Sequence, residues 1–490
     1  KGSQRGRNKS VRAGFSLKMP ADQLFNGIHA TIAVDRSGAG DQFSQKEILV
    51  KHAINRAGNI PGMMDDLIYV ISPQEAHTGS AMLLKARYDD EYLNAQFDNG
   101  SEGRMFEYEL IYYPTSTVGG SEGLKRPNPD QVRGVNHRNL GPDKEAYRWH
   151  YLLENNRAAD DYTQLMDLVD LFGSSNDDDY LERLVATVDV DQWLRSFAIQ
   201  NLFGIGDNYS TQSQHNMIIY FPPGKKAMYF PWDMDFTFSR GASDRNIVAN
   251  GDLRNMMDAD PIAFRSYFAQ MKELLLTVVN EDYMEAWATH YSQFLPSENL
   301  GGFVNYIGTR NRTVDRELRN DFDPLSFAIT TNDGENTEVA TSTITLTGSG
   351  SYEDDSVYVG DTKYPLVWTD KDHWELTLPL KLGENVITLE VVDAIESSGS
   401  IFSPRETDSI TVINTGASAA ANRDNVRISE LMYHPLEPNE SEMAEGFTNR
   451  DDFEFLELHN VSNQEISLQG ARLTKGVDFD FTETQSIPAG

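Results

Sequence analysis

Carboxylates and amides gather in one stretch of this chain, from Asn201 to Arg240. A polar loop carries Asp207, Asn208, Gln212, His215 and Asn216. An apolar run from Met217 to Phe221 follows, Pro222-Pro223-Gly224 reads as a turn, and Ala227 to Phe230 reads as a second strand with Asp233 and Asp235 at its end. A hairpin joining two acidic clusters can bring oxygen ligands around one divalent cation. Asp233 and Asp235 are two apart, so on an extended segment they share a face while Trp232, Met234 and Phe236 pack on the other. Asn216 opens the first strand and can add an amide oxygen, with Gln212 as its rival. Asp207 lies on the loop, free to orient a nucleophile or take its proton. Oxygen ligands of this kind suit Mg²⁺, which keeps waters and is shared with substrate phosphates. The residues alone also fit a structural acidic loop steadied by calcium. His215 reads as a packed or hydrogen-bonding residue, since a zinc site needs further ligands.

Composition narrows the setting. The chain has 490 residues, a formal charge of -33 and no cysteine. That length predicts two to four domains. The acidic balance argues against a general nucleic-acid surface, which needs a basic stripe. Disulfide and thiol chemistry are excluded. No apolar run reaches transmembrane length. Lys1-Gly2-Ser3 at one end and the turn-like Ser486 to Gly490 at the other lead us to expect a piece of a longer protein.

The elements that must position the acidic stretch come next. Phe15 to Met19, Ile28 to Asp35, Leu67 to Ile71, Ala81 to Tyr88 and Met105 to Tyr113 read as strands, with a helix from Gln45 to Arg56 capped by Ser44. A polar connection runs from Thr115 to about Pro142. Apolar spacing of three and four then predicts helices over Lys144 to Asn155, Tyr162 to Phe172, Asp178 to Thr187, and from Asp189 to Leu202. Further helices are predicted over Pro261 to Val279, Glu281 to Phe294 and Leu300 to Leu318. From Asp323-Pro324 the texture becomes short β runs, seven or so before Thr415, which suggests an immunoglobulin-like sandwich. A Gly/Ala/Ser-rich linker and a second, unfinished β region follow. The expected domains are 1–323, 324–415, a linker at 416–425, and 426–490.

Asp207, an amide, a hairpin and then an aspartate follow the order of parts in kinases, although Asn216 lies nine residues after Asp207 where five is usual. The segments GDNYSTQSQHNMIIYF and YFPWDMDFTF resemble the signature of the CotH kinase family, named for spore coat protein H. The resemblance covers roughly Lys1 to Arg319. It implies an atypical kinase fold that uses ATP and Mg²⁺ to phosphorylate secreted proteins. Carried onto this chain, Asp207 would be catalytic, and Asn216, Asp233 and Asp235 would bind metal. Arg5 and Lys18 would contact the nucleotide phosphates. Glu47 would stand in for the strand glutamate that many family members have where this chain has Lys85-Ala86-Arg87; ordinary surface charge is the other reading of Lys18 and Glu47. Glu107 and Glu109 either line a cleft or alternate toward solvent.

Ala328 to Ile413 is similar to bacterial extracellular Ig-like modules. Val426 to Pro435, Phe455 to Asn460 and Ile466 to Thr474 resemble the first half of a lamin-tail domain. Glu430, Glu457 and His459 read as alternating strand positions before they read as a metal cluster. The predicted fold class is thus α+β: a two-lobed atypical kinase-like domain followed by two β-sandwich (Ig-like) domains, the last truncated. The resemblances imply a secreted or cell-surface protein that phosphorylates an extracellular or surface protein, with the lamin-tail-like part binding protein or surface polymer. An inactive kinase-like domain in an adhesion or structural protein is the alternative.

Overall fold

Alternating apolar residues at the start of the chain pair into sheet in the computed structural model. It describes residues 14–35, 44–62, 65–75, 78–113, 116–120, 123–125, 131–134, 136–321, 326–393, 406–473, 477, 479–481 and 485–490. The architecture is mixed, α+β, and the chain divides into two compact units, Lys1–Asp323 and Pro324–Gly490. Among the described residues no helix is long and apolar enough to cross a membrane.

In the first unit, strands β1 (Phe15–Lys18), β2 (Thr31–Asp35), β3 (Asp65–Val70) and β4 (Gly79–Ala86) form an antiparallel sheet in the order β1-β2-β4-β3. Ile32, Val34 and Leu84 bury their side chains together there, with Phe25, Ile68 and Val70 against them. Helix α1 (Glu47–Ala57) follows β2, and α2 (Asp90–Gln96) follows β4. The Asp89 carboxylate caps α2 at Tyr92 N and also accepts from Ala30 N and Thr31 N, so one side chain ties the entry of β2 to the helix.

A second sheet holds the acidic hairpin. Strand β5 (Arg104–Tyr108) is followed by the short ribbons β6 (Ile111–Tyr113) with β9 (Gln131–Arg133) and β7 (Thr117–Val118) with β8 (Leu124–Lys125). Then come β10 (Tyr151–Leu153), helices α3 (Thr163–Gly173), α4 (Tyr180–Thr187) and α5 (Val190–Leu202), and the hairpin strands β11 (Met217–Phe221) and β12 (Met228–Pro231). The order is β10-β5-β11-β12, all antiparallel, with Tyr108 paired to Met217 on one side and to Tyr151 on the other. Every residue of β11 and β12 is buried, which explains the unbroken apolar run. Helices α6 (Gly251–Ala259), α7 (Pro261–Thr277), α8 (Glu281–Ser292) and α9 (Leu300–Asp321) complete the unit.

Two expectations change here. The segment expected as a helix over Lys144 to Asn155 is a short 3₁₀ turn (Lys144–Ala146) leading into β10. Pairing with β5 wins over local spacing: Tyr151 stacks on Tyr108 with centroids 5.0 Å apart, and Glu109 N to His150 O and Glu154 N to Met105 O extend the ladder. The single strand expected over Met105 to Tyr113 breaks after Tyr108, because Glu109 takes the Leu110 N–H (2.8 Å) and β6 turns away to pair with β9.

As an edge strand, β12 has backbone groups without a strand partner, and α5 supplies one. Gln192 accepts from Tyr229 N and donates to Tyr229 O, both at 2.7 Å, while Ser196 also donates to that carbonyl. An amide side chain here completes the ladder. Gln192→Leu leaves the buried Tyr229 N–H unpaired, whereas Ser196 keeps the carbonyl satisfied. The expected cost is about 1–3 kcal/mol, read by urea denaturation followed by tryptophan fluorescence; an unchanged midpoint would show that water replaces the amide.

In the second unit, a four-stranded sheet (Ala328–Ile329, Thr343–Ser349, His373–Pro379, Val367–Trp368) and a five-stranded sheet (Thr337–Val339, Thr407–Asn414, Gly383–Asp393, Asp354–Val359, Thr362–Pro365) share one core. Leu346, Trp374 and Leu376 come from the first sheet, and Val357, Leu389, Val391 and Val412 from the second. Trp374 lies stacked on Phe327 and covers Gly348, where a Cβ would sit 2.0 Å from the indole. Beyond it, Ala419–Ala420 in the Gly/Ala/Ser-rich stretch pairs with Ile466–Ser467, so that stretch carries sheet structure. Val426–Met432 pairs with Phe455–Asn460, placing Glu430 opposite Glu457 and His459 opposite Arg427.

Candidate functional site

Asp207 sits where α5 gives way to loop. The helix stops at a turn whose Gly204 has φ +56°, and a Cβ there would lie 1.9 Å from the Tyr306 hydroxyl oxygen, so the position suits glycine alone. This turn pairs with the backbone that follows the second acidic cluster: Gly206 N donates to Phe236 O, Phe238 N to Phe203 O, and Ser239 N to Gly204 O. The pairing draws the segments carrying Asp207 and Asp235 together. On the other side, Asn216 Nδ2 donates to Asp207 O at 2.7 Å, with Asn216 buried and left-handed (φ +58°). Asn216 is therefore the amide beside Asp207. Its rival Gln212 is exposed, and its oxygen accepts from Gly251 N at the start of α6. Asn208 is spent internally, donating to Gln200 and accepting from Ser210.

His215 reaches the Asp207 side chain itself. Nε2 lies 2.9 Å from Asp207 Oδ1 and Nδ1 lies 3.6 Å from Glu109 Oε1. Burial works against a charged imidazole, but the two carboxylates more than offset it and raise the pKa to about 9. Asp207 keeps 37 % of its side-chain surface exposed, so a substrate group can reach it. Glu109 faces the site and not solvent alone; the histidine 106 positions further along decides this, which strand alternation could not foresee.

The Asp233–Asp235 segment differs from the extended end expected. Strand β12 stops at Pro231, Asp233 is left-handed (φ +47°), and Asp235 begins a turn. Alternation therefore does not set which way the two carboxylates face. Asp233 is exposed, Asp235 half-buried and Met234 buried. Glu47 is wholly buried, which removes its reading as surface charge: Oε1 accepts from Met234 N at 3.3 Å, between the two aspartates. At the entry to α1, Ser44 Oγ accepts from Lys46 N at 3.5 Å, and Glu298 Oε1, from the α8–α9 connection, accepts from Gln45 N at 3.1 Å.

Lys46 was missed from the sequence. Its ammonium lies over the Phe303 ring, 5.7 Å from the centroid. Burial lowers its pKa, with Asp235 and Glu298 pulling it back up. The only signal in the chain is its place beside Glu47, and a lysine at a helix start is common enough to carry little weight. Lys18 lies on the exposed edge strand β1, opposite Thr31, away from the hairpin in the sheet order. Arg5 lies outside the described residues. Also among the described residues, no group of three or more His, Asp or Glu side chains stands close enough to hold a metal by itself. The donors at hand, Asn216, Asp233 and Asp235, are all oxygen donors, and that chemistry fits Mg²⁺ shared with phosphates.

Residues 83–302 match the family described as CotH kinase protein. The match covers under half of the chain, narrower than the resemblance drawn over Lys1 to Arg319, and holds Glu109, Asp207, His215, Asn216, Asp233 and Asp235 but not Lys18, Lys46 or Glu47. No curated protein matches the chain. Among solved structures, an endo-beta-1,4-mannanase from Thermotoga petrophila aligns at 14 % identity over 23 % of this chain and 24 % of that one, with a TM-score of 0.15. The aligned part is about a quarter of the mannanase and bears on neither fold nor function.

Within the CotH match, Asp252 buttresses the Asp207 loop. Its carboxylate accepts from the Tyr209 hydroxyl and sits among Tyr108, Tyr151 and Tyr180. Burial raises its pKa to about 6, against the hydrogen bond, which lowers it. A folded value above the unfolded one stabilises the fold fully below the unfolded pKa and loses that contribution as pH rises through about 6. Asp252→Asn keeps an oxygen for Tyr209 and removes the titration. Its stability relative to the parent chain should grow from about pH 4 to about pH 7, by at most about 3 kcal/mol. Urea denaturation at the two pH values measures this; a difference independent of pH would contradict it.

Proposed function

We propose that the CotH-matching segment, with α1 against it, is a phosphotransferase that moves the γ-phosphoryl group of ATP to a protein hydroxyl with Mg²⁺. The observation that carries this reading is the union of Asp207 with Asn216 and with the backbone after Asp235, inside the matched residues. Asp207 orients the acceptor hydroxyl and takes its proton as the oxygen attacks the γ-phosphorus and the bond to ADP breaks. Asn216, Asp233 and Asp235 would hold the metal, which when bound neutralises the phosphate charge. Glu47 fixes the Asp233–Asp235 backbone through Met234 N. Lys46 lies within electrostatic reach of Asp235 and is a further candidate for a phosphate contact, beside Arg5 and Lys18.

The region from Pro324 would serve display. Two facing sheets around Trp374 support an Ig-like sandwich over 324–415, and the β pairs over 426–490 support a lamin-tail-like part that binds protein or surface polymer. Together they suggest a secreted or cell-surface protein acting on an extracellular or surface protein. The second reading, an inactive kinase-like domain in an adhesion or structural protein, is favoured by Lys46, whose charge already faces Asp235. Incubation with γ-labelled ATP, Mg²⁺ and casein separates the two. Label in casein or in the chain supports transfer, and label released only as phosphate supports hydrolysis at the same carboxylates. No label moved and no thermal shift at millimolar Mg·ATP supports the inactive domain.

A further inference from the structure

His215 and Asn216 are consecutive, and they grip Asp207 by different atoms. Asn216 holds the backbone carbonyl, and His215 holds side-chain Oδ1. The imidazole is itself fixed at its other nitrogen by Glu109, whose Oε1 also accepts from Leu110 N. A chain of contacts thus runs from the end of β5, through Glu109 and His215, to the Asp207 carboxylate. His215 is 7 % exposed, so water offers the ring little competition.

Two other buried histidines show what an ordinary core ring looks like here. His52 lies against Trp287, with centroids 3.8 Å apart, and its pKa falls to about 4 through burial and the nearby Arg56 and His290 charges. His137 packs against Tyr108, Tyr209 and Phe172, and burial pushes its pKa down to about 3. His215 faces two carboxylates instead of aromatic rings. Packing does not call for that arrangement, because it buries polar groups that an apolar ring would spare. What it does achieve is to pin one oxygen of Asp207 and leave the partly exposed carboxylate a single orientation.

We propose that His215 is a positioning residue for phosphoryl transfer: held by Glu109, it fixes Asp207 Oδ1 so that Oδ2 is the oxygen presented to the acceptor hydroxyl. The role rests on the reading of Asp207 as the catalytic aspartate. Its size follows from geometry, since misplacing a reacting group by about 1 Å costs about a hundredfold in rate.

Three variants of the full chain and two readouts test it. His215→Gln carries an amide N–H to about the reach of Nε2, whereas His215→Leu fills the space without a donor. With Mg·ATP and casein, His215→Leu should lower kcat by about 10- to 100-fold with KM for ATP within about threefold, and His215→Gln should recover kcat to within about fivefold of the parent chain. Equal losses in both variants, or a change confined to KM, overturn the proposal. The second readout does not need turnover. In a ¹⁵N-histidine-labelled chain, Asp207→Asn should move the His215 ring resonances, identified by their loss in His215→Gln. Unmoved resonances overturn the contact. A parent chain that transfers no phosphoryl group overturns the reaction and the positioning role with it, while the ring resonances still report whether His215 and Asp207 are joined, so the two failures are told apart.

Discussion

Asp207→Asn should lower phosphoryl transfer by about 10²- to 10⁴-fold, the range for losing a positioned general base, and leave Mg·ATP affinity within about threefold. The substitution is isosteric. An asparagine oxygen still accepts from His215 Nε2, and the backbone carbonyl still accepts from Asn216, so the loop keeps both of its anchors. What disappears is the charge that, on the proposed reading, would orient the acceptor hydroxyl and receive its proton. On the proposed reading, the metal and the triphosphate would be held by Asn216, Asp233 and Asp235 instead. Single-turnover kinetics measure the first quantity and calorimetric titration with Mg·ATP the second. Turnover within a few-fold of the parent chain would remove Asp207 from catalysis. Lost affinity together with lost turnover would make it part of the binding site.

Asp233→Asn and Asp233→Ala should both abolish the stabilisation of the chain by Mg·ATP. A ligand that binds only the folded state at about 100 times its Kd adds about 2.7 kcal/mol, and a variant that no longer binds adds nothing. The pair of variants is needed because Asp233 is left-handed. Alanine in that conformation costs about 1 kcal/mol by itself, so Asp233→Ala starts from a lower melting temperature for a reason unrelated to metal. Asparagine tolerates the same backbone and keeps one oxygen, so Asp233→Asn isolates the charge. Thermal melts with and without millimolar Mg·ATP give the result directly. A full ligand-induced rise in Asp233→Asn would assign the metal to other oxygens, Asp235 first among them.

Asp233 and Glu47 together show how the site depends on residues outside the hairpin. The N–H of Met234, buried between the two aspartates, donates to a carboxylate on α1, and Glu298 in turn holds the backbone at the start of that helix. The acids and the lysine that faces Asp235 therefore share one support. A change at Glu298, far from the aspartates in the chain, would act on them through α1.

Local order was legible in the residues. The apolar runs Met217 to Phe221 and Ala227 to Phe230, split by Pro222-Pro223-Gly224, read as a hairpin, and β11 and β12 are that hairpin. Three- and four-residue spacing marked α3 and α4, because such patterns are set by neighbours along the chain, and helices form as expected at α5, α7, α8 and α9. Helix α7 begins at Pro261, where it was expected, and the Asp260 side chain just before it accepts from Ile262 N. The polar residues on the loop and at the hairpin end stood out for the same reason: they interrupt an otherwise apolar stretch.

Tertiary structure decided what those residues face. Tyr151 to Leu153 carries helical spacing but pairs with β5, since closing the sheet satisfies backbone groups that a solvent-side helix would leave β5 without. Asp233 leaves the extended conformation, so two-residue alternation lost its meaning at the one place where it had been used to aim carboxylates. Glu109 with His215, Glu298 with Gln45 and Glu47 with Met234 are joined across 106, 253 and 187 positions. Periodicity and motif spacing act over a few residues, whereas the attraction between charges and the demand of buried polar groups for partners act through space. The sequence by itself determined that an acidic hairpin would form and which oxygens it would carry; only the folded chain determined which histidine, lysine and glutamates meet them.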